Sequence, residues 1–256
     1  MDFMTVLGLI VGFSAVYYTL HVGGIVALLY DPVAATLVFG GTLGATMVTY
    51  PWRILRRAPK AYLFTLFPPR RLAPAHYITL LVDLSEKSKK GGIDSIQDEI
   101  LKIQDPFLVD GLQMVLDGFD PELVRENLEK EIIFLKRRHN QVTAIFKSMA
   151  GYAPIFGLLG TLIGVVQVLK NLTDPESIGS SMAVAITTTF YGIFGANFLF
   201  SPAAGKLTAL TEQEVLLKEV AIEGILSIQS GDIPTVVARK LHAYLAYRTR
   251  KGKVRK

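Results

Sequence analysis

Four long segments of the chain are rich in apolar residues and contain no Asp, Glu, Lys or Arg. A helix needs about 20 apolar residues to cross the hydrocarbon core of a bilayer, and each segment is long enough to do so. The pattern predicts an integral membrane protein with four membrane-spanning helices. The segments lie between Asp2 and Asp31, and at Pro32–Trp52, Ser148–Leu169 and Ser177–Gly205.

The stretch between the second and third spans is polar and follows a helical pattern. Leu80, Leu81 and Leu84 predict an amphipathic helix that stops at Gly91 and Gly92. Strand-like alternation is scarce, so the region is expected to be helical throughout. The isoleucines that continue the helical spacing are Ile93, Ile96, Ile100 and Ile103.

The pair Asp120 and Pro121 is a signal for the start of a helix, and no helix breaker follows before Ser148. The third span is therefore expected to continue far outside the membrane, by about 40 Å at 1.5 Å per residue. The region from Lys206 to Ser230 predicts a helical counterpart after the fourth span.

Basic residues give the orientation of the spans. The link before the second span carries only Asp31 as a charge, whereas a basic cluster follows that span and the tail from Arg248 to Lys256 is also basic. Because positive charge marks the cytoplasmic side, both termini are expected to be cytoplasmic. Tyr50 and Trp52 are expected in an interfacial aromatic belt. The cluster consists of Arg53, Arg56, Arg57, Lys60, Arg70 and Arg71.

These patterns predict an all-α integral membrane protein with four transmembrane helices. The loop between helices two and three and the C-terminal tail form a helical cytoplasmic domain. The expected divisions are residues 1–52 for the first two spans, 53–147 for the cytoplasmic helical region, 148–205 for the last two spans and 206–256 for the cytoplasmic C-terminal helices and basic tail.

Composition narrows the function. Half of the residues are hydrophobic and no cysteine is present, which excludes disulfides, thiolate metal sites and a cysteine nucleophile. The net charge of +5 gathers beside apolar runs, so nucleic acid is not an expected partner. Phosphate-binding and metal-binding motifs are absent, and the four histidines are scattered, so no enzyme is expected.

The third span places Pro154, Gly157, Thr161 and Gly164 on one face at steps of three and four. Gly160 with Gly164 forms the small-xxx-small pattern of close helix packing. The face has two readings, namely helix packing alone or the lining of an ion path. Pro154 in this span, and Pro202 in the next, are either hinges or fixed bends.

The fourth span contains three successive threonines, Thr187, Thr188 and Thr189. A single membrane threonine commonly bonds to a carbonyl of its own helix. Three in succession cover about 200 degrees of helix surface, so at least one is expected to face the bundle interior. There its hydroxyl oxygen could replace part of the hydration shell of an ion.

The spans contain no ionisable residue apart from His21, near the end of the first. A proton or cation path normally needs an ionisable group within the membrane. If the protein is a channel, the carboxylate must therefore come from another chain, and this chain is a subunit wrapped around a partner helix.

Three motifs form a recognisable pattern: Gly157–Leu169 (GLLGTLIGVVQVL), Asp174–Gly179 (DPESIG) and Met182–Gly192 (MAVAITTTFYG). The pattern extends to Asp31 of the outer link, Ser85–Gly92 (SEKSKKGG), Asp117-Gly118 and Gly224–Gly231 (GILSIQSG). On these motifs the chain resembles the MotA/PomA family of flagellar stator subunits over nearly its whole length.

The resemblance implies a subunit of the bacterial inner membrane that forms a ring, a pentamer in family members, around two single-span MotB/PomB-type chains. Those partners supply the missing membrane aspartate. Ion flow would then rotate the ring, and its cytoplasmic helices would push on the rotor protein FliG. No permanently bound cofactor is expected, and the conducted ion is the only small ligand.

The resemblance also assigns roles to residues of the last two spans. Pro154 and Pro202 fall on the two functional prolines of the family. Thr161, Thr188 and Thr189 fall on the hydroxyl positions of a sodium-type ion pathway, with Na⁺ expected at Thr161 and Thr188. Proton-type members often have alanine at the position of Thr188, which favours sodium and leaves H⁺ as the alternative.

For rotor contact, Lys89 matches the basic residue of the family. The acidic residue expected eight positions later is Gln97 here, with Asp98 and Glu99 beside it. Lys89, Asp98 and Glu99 are therefore the candidate contacts with the rotor. The alternative is that the lysines form a solvated helix end, favourable to the helix dipole.

Three other readings remain open. A TolQ/ExbB-like energising subunit also surrounds a partner helix. Such a subunit has three spans, with its cytoplasmic insertion after the first, whereas two spans precede the cytoplasmic region here. A membrane enzyme lacks a recognisable motif. A passive scaffold would use the polar faces only to pack helices, and a measurement of ion flux with the partner chain separates it from a channel.

Overall fold

The computed structural model of the chain describes residues 3–68 and 74–244, with no strand among them. The helices are α1 (Phe3–Val22), α2 (Pro32–Thr49), α3 (Trp52–Leu55), α4 (Ala58–Leu66), α5 (Pro74–Gly91), α6 (Gln97–Ile100), α7 (Pro106–Leu116), α8 (Pro121–Lys170), α9 (Pro175–Phe194, Gly195–Phe200 and Ser201–Gln229) and α10 (Pro234–His242). Short 3₁₀ turns lie at Ala27–Leu29 and Ile93–Ile96.

Within the described ranges, four helices are long and apolar enough to cross a membrane. They are α1, α2, α8 and α9: the first two lie within the first two segments that the hydrophobic pattern selected, and the last two include the third and fourth segments. The all-helical fold with four candidate spans is therefore confirmed. Where the predicted cytoplasmic divisions meet the membrane stays a prediction.

The start of α8 is set by its cap. The carboxylate of Asp120 accepts a hydrogen bond of 2.9 Å from the backbone N–H of Glu122, which satisfies one of the free donors of the first turn. Pro121 suits the first helical position, where its missing N–H is not needed. The helix then runs unbroken through 50 residues, as predicted.

The end of α5 also follows the sequence pattern. Gly92 has a φ of 81°, a left-handed conformation that glycine adopts without strain, and the helix stops there. The prediction of a continuing helix after it is only partly right. Ile93–Ile96 is a 3₁₀ turn, α6 is a single turn, and Ile103 lies beyond both. Ile96 and Ile100 are nevertheless fully buried, because they face the core.

The chain divides into two compact units. The first contains the described residues of Met1–Pro69 and His139–Ala209, and the second contains those of Arg70–Arg138 and Leu210–Lys256. Each unit has its own apolar cluster. The second unit has the larger one, in which α5, α7, the first part of α8, the last part of α9 and α10 contribute buried residues such as Leu81, Leu112, Leu128, Ile225 and Leu241.

In the first unit, α1 packs on α9 through aromatic rings. The Phe13 ring lies 5.1 Å from that of Phe194 and 5.8 Å from that of Phe198, between ring centroids. Gly12 allows this approach, since an added Cβ would lie 2.3 Å from the Phe198 ring. Most of α1 is otherwise exposed, as expected for a helix that faces lipid.

Candidate ion pathway and rotor surface

The contact between α8 and α9 depends on glycines. A Cβ on Gly157 would lie 2.9 Å from the carbonyl oxygen of Thr188, and one on Gly164 would lie 2.5 Å from the Cβ of Ala185. From the other side, a Cβ on Gly192 would lie 2.6 Å from the carbonyl oxygen of Ala153. The helices therefore approach backbone to backbone, which is the purpose of the small-xxx-small pattern in membranes.

This close approach brings three threonine hydroxyls to one carbonyl. The carbonyl oxygen of Ala185 lies 3.2 Å from Thr161 Oγ1, 2.8 Å from Thr188 Oγ1 and 3.4 Å from Thr189 Oγ1. The hydroxyls of Thr161 and Thr189 also hydrogen-bond to each other. Thr161 comes from α8 and the others from α9, so the cluster exists only because the helices meet.

The three hydroxyls together offer more hydrogen bonds than the carbonyl of Ala185 can accept. A carbonyl oxygen has two lone pairs, and within α9 one of them serves the helix ladder. Thr161 and Thr189 have a second acceptor in the carbonyl of Gly157, at 3.2 and 3.4 Å. The hydrogens can therefore be shared in several ways, and the hydroxyl oxygens can turn lone pairs towards a cation.

The threonines differ in exposure. Thr188 is fully buried and its side chain lies against Gly160, where an added Cβ would be 2.4 Å from Thr188 Oγ1. Thr161 and Thr189 are half-buried. Thr161 and Thr189 are thus the partly exposed members of the cluster, while Thr188 lies inside the helix contact.

The two candidate prolines occupy different positions. Pro154 lies inside α8 at the contact with α9, with its Cα 3.1 Å from the position of a Cβ on Gly192. Pro202 is exposed and follows a π-helical turn at Gly195–Phe200. A wider turn suits this place, because the carbonyl of Phe198 has no N–H to accept from at Pro202 and would meet the proline ring.

Asp31 forms the N-terminal cap of α2. One carboxylate oxygen accepts hydrogen bonds from the backbone N–H groups of Val33, at 2.8 Å, and Ala34, at 3.2 Å. The hydroxyl of Tyr191 on α9 accepts from the Asp31 N–H at 3.4 Å and donates to the carbonyl of Leu29. Tyr191 thus ties the start of α2 to the helix that carries the threonines, a role that the sequence analysis missed.

Tyr50 makes two contacts in addition to its predicted place in an interfacial belt. Its hydroxyl lies 2.9 Å from the carbonyl oxygen of Ala144 and 2.7 Å from Ser148 Oγ, so it fastens the end of α2 to α8. Trp52 is 71% exposed, as an interfacial anchor would be.

In the second unit, Lys89 and Glu99 have partners. Lys89 Nζ donates to the carbonyl of Gly231 at 2.8 Å, just beyond the end of α9. Glu99 forms ion pairs with Lys87 at 2.8 Å and Lys102 at 3.2 Å. Hydrogen bonds from these two lysines hold the pKa of Glu99 below its usual range. Asp98 is exposed and forms no ion pair with any residue of the described ranges.

These charges border a groove on the surface of the second unit. Its volume is about 380 Å³, and apolar atoms of Leu80 and Leu84 line it beside acidic and basic side chains. We call it the α5 groove. It brings Lys87 and Glu99 together, whereas Lys89 points to the Gly231 turn instead. The charged lining consists of Asp83, Glu86, Lys87, Lys90 and Glu99.

The described residues contain no group of three or more His, Cys, Asp or Glu side chains that could hold a metal ion. The oxygens of the α8–α9 contact are neutral hydroxyls and carbonyls. Such a set can replace the water of a hard cation, but it has no acid that could carry a proton.

Comparison with known proteins gives the family. Residues 99–220 match the model of the MotA/TolQ/ExbB proton channel family. Motility protein A of Borreliella burgdorferi is 38% identical over 251 residues, which cover 98% of this chain and 96% of the relative. The chemotaxis protein PomA of Vibrio alginolyticus is 34% identical, with 96% of each chain covered.

Solved structures agree with this result. The flagellar MotAB stator complex from Bacillus subtilis matches with a TM-score of 0.87 and 29% identity, covering 95% of this chain and 97% of that one. The C. jejuni MotAB structure shares the fold with a TM-score of 0.90, covering 96% of this chain and 97% of that one. With relatives of this identity over nearly its full length, the chain belongs to the MotA/PomA family of flagellar stator subunits, within the MotA/TolQ/ExbB proton channel family.

Proposed function

We propose that this chain is the ion-conducting stator subunit of a bacterial flagellar motor and that it converts sodium flow into torque on the rotor. The observation that carries the proposal is the set of oxygens at the α8–α9 contact, where three threonine hydroxyls meet the carbonyl of Ala185. The names of the relatives, a PomA protein and a MotAB stator complex, support the setting.

Sodium is favoured over the proton by the chemistry of this set. Sodium needs oxygen ligands that replace its water, and Thr161, Thr189 and the carbonyl of Gly157 supply such oxygens within 3.4 Å of one another. Thr188 holds its helix against Gly160 and so keeps the oxygens in place. A proton would need only the acid of the partner, and it remains the alternative driving ion.

The path is incomplete in this chain alone, because its spans carry no carboxylate. We infer that a single-span MotB/PomB-type partner supplies a membrane aspartate beside the threonines, where its negative charge neutralises the ion. A ring of these chains, a pentamer, surrounds the partner helices. It lies in the bacterial inner membrane with both termini in the cytoplasm, in keeping with the basic residues after α2.

Torque passes to the rotor protein FliG through the second unit. Asp98 is exposed and free of ion pairs within the described ranges, and the α5 groove presents Lys87 and Glu99 beside it. Lys89 contributes by holding the Gly231 turn and by its charge. Pro154, at the α8–α9 contact, and Pro202, after the π-helical turn, are the positions where the spans would bend during this motion.

Swimming driven by defined ion gradients tests the proposal. Cells that carry this chain and its partner should swim at a speed that rises with external sodium, and Thr161→Ala and Thr189→Ala should raise the sodium concentration needed for half-maximal speed. Thr36→Ala is a matched control, because among the described residues its hydroxyl bonds to the carbonyl of Pro32 in its own helix. Unchanged swimming without sodium, with the proton gradient intact, would refute sodium coupling.

A second measurement separates stator function from sodium coupling. If swimming is independent of sodium but stops when the proton gradient collapses, the chain is a proton-driven stator. If the complex of this chain with its single-span partner conducts ions in vesicles, but cells lacking this chain swim normally, the chain is an energising subunit of the TolQ/ExbB kind.

A further inference from the structure

We propose that α3 and α4 form a binding site for anionic phospholipid on the cytoplasmic side of the membrane. These helices directly follow α2 and combine uncompensated basic residues with exposed apolar side chains. The inference concerns a surface remote from the ion pathway, and it does not depend on which ion the protein conducts.

The position of the helices relative to the membrane follows from two markers. Helix α2 ends at Thr49, and α3 begins only three residues later at Trp52. Tyr50, between them, is hydrogen-bonded to Ser148, the first residue of the uncharged part of α8. Two spans therefore reach the edge of the hydrocarbon region at the same place, and α3 and α4 lie within the headgroup layer.

One face of these helices is anchored to the protein. Ala58 is buried in an apolar cluster with Ile145, Phe146 and Met149 of α8, and with Ala203 and Ala204 of α9. Thr65, two turns further along α4, is also buried. The helices cannot rotate, so the opposite face is held in a fixed orientation.

The exposed surface of these helices carries four basic residues that form no ion pair with any described residue. No Asp or Glu occurs anywhere between Asp31 and Asp83 in the sequence. Within the described part of the chain, none of the four forms an ion pair. They are Arg53, Arg56, Arg57 and Lys60, and all are exposed.

Apolar side chains lie beside these charges. Trp52 is 71% exposed, Leu63 55%, Phe64 39% and Phe67 52%. The ammonium of Lys60 lies 5.8 Å from the centre of the Phe64 ring, which brings charge and aromatic surface together. A helix with basic and aromatic residues on its outer face is typical of elements that lie in a membrane interface.

An anionic phospholipid is the ligand that matches both the basic and the apolar side chains of this surface. Its negatively charged headgroup can accept charge-assisted hydrogen bonds from Arg53 and Arg57, and its acyl chains can cover Phe64 and Phe67. A second copy of this chain would bring the same positive charges to the surface, and like charges repel. Orientation by the positive-inside rule needs the charges but does not need the exposed aromatic side chains.

The single tryptophan of the chain lies in this site and provides the measurement. The full-length chain is reconstituted in phosphatidylcholine vesicles that contain a small fraction of brominated phosphatidylglycerol or brominated phosphatidylcholine. Bromine quenches tryptophan on contact, so the two series give the relative binding constant at Trp52. Each basic residue near an anionic lipid contributes about fivefold to binding, so we expect a preference of at least about fivefold for phosphatidylglycerol.

Variants show whether the arginines cause the preference. Arg53→Gln with Arg57→Gln should bring the ratio close to one, while Arg53→Lys with Arg57→Lys should keep most of it and so exclude misfolding. Arg125→Gln with Lys130→Gln removes the same charge from the second unit and should have no effect. Inorganic phosphate should not displace the lipid.

Four results would overturn the proposal. Equal quenching by both lipids would show no selective site, and weak quenching by both would show that another protein surface covers Trp52. Loss of the preference on addition of inorganic phosphate would show a site for free phosphate instead of lipid. If the Arg125 and Lys130 variant changes the ratio as much as the Arg53 and Arg57 variant does, the preference comes from the net charge of the protein and not from this site.

Discussion

A Cβ atom added to Gly160 on α8 would lie 2.4 Å from Thr188 Oγ1 on α9, and 2.5 and 2.6 Å from the other two side-chain atoms of the same threonine. No Cβ fits at that distance, so either the helices move apart or Thr188 leaves its place. The residues that resemble a glycine packing motif and an ion pathway are therefore parts of one contact.

We expect Gly160→Ala to destabilise the α8–α9 pair by about 1–3 kcal/mol, because extra volume must be forced into a closed contact. Adding Thr188→Ala should recover part of this loss, since it removes the atoms that clash. Thermal melting of the purified protein in detergent gives both values. Gly151→Ala is the control, because its Cβ would meet nothing within 4 Å. Equal loss in the two glycine variants would contradict the contact.

The packing of the Thr188 side chain can be tested separately from its hydroxyl oxygen. Thr188→Val keeps the shape that packs on Gly160 and removes the oxygen, whereas Thr188→Ala removes both. We expect Thr188→Ala to impair sodium-driven swimming more than Thr188→Val, because the residue is fully buried and acts mainly by packing. Swimming speed against sodium concentration is the measurement. If both variants raise the sodium requirement equally, the Thr188 oxygen is itself a ligand.

Tyr191 should control the start of α2. In Tyr191→Phe the N–H of Asp31 and the carbonyl of Leu29 lose their shared partner, which removes hydrogen bonds of about 1 kcal/mol each. We expect faster amide exchange at Asp31, measured by hydrogen exchange and mass spectrometry. Tyr18→Phe, at an exposed tyrosine of α1, should change nothing there. Unchanged exchange at Asp31 would show that the direct bond from its N–H to the Leu29 carbonyl, at 3.2 Å, holds the turn without the tyrosine.

The second unit should lose stability in acid through Asp232. Its hydrogen bond with Lys240, at 2.8 Å, lowers the pKa of Asp232 from the ordinary value of 3.8. The stabilisation is present above that value and is lost as the pH falls through the lower pKa of the folded state. We therefore expect Asp232→Asn to flatten the acid part of the stability profile.

The measurement for Asp232 is the melting temperature of the purified protein from about pH 6 to about pH 3. Glu129→Gln makes the same change of charge in an exposed pair with Arg125, and such pairs contribute little. Its profile should follow that of the unmodified protein. A melting temperature that falls more steeply with decreasing pH in Asp232→Asn than in the unmodified protein would contradict the prediction.

Charge reversal at Lys89 tests rotor contact. Lys89→Glu removes the hydrogen bond to Gly231 and places a negative charge near Asp232, whose pKa the charge of Lys89 helps to lower, so we expect lower torque at high load with ion conduction intact. Lys89→Met removes the bond without adding charge and reports the structural part. Lys130→Glu on α8 is the control for charge. Normal torque at high load in Lys89→Glu would show that Lys89 is only a charge at the helix end and does not contact the rotor.

The hydrophobic pattern determined most of the fold. Uncharged segments of sufficient length have no alternative to a membrane-spanning helix, and the caps at Asp120 and Gly92 set helix ends through local geometry. These signals need only neighbouring residues, so they can be read along the chain. The isoleucines after Gly92 were less predictable, because their burial in the second unit, and not a regular helix, decides their conformation.

The candidate site was predicted only in its residue types. The glycines of α8 do pack closely against α9, and the threonines lie at that contact, but the sequence did not distinguish Thr188 from Thr189. The partners of Tyr50, Tyr191 and Lys89 were also missed. Each of these residues bonds to a part of the chain more than ninety positions away, and no local pattern carries that information.

The sequence by itself determined that this protein is a bundle of membrane helices without an acid of its own in the spans, because charge and hydropathy are properties of each residue. Only the tertiary structure decided which oxygens meet at Ala185 and which basic residues are left without a counter-charge. The first depends on how closely the backbones of α8 and α9 approach, which glycines far apart in the sequence allow, and the second depends on which acidic residues the fold brings near.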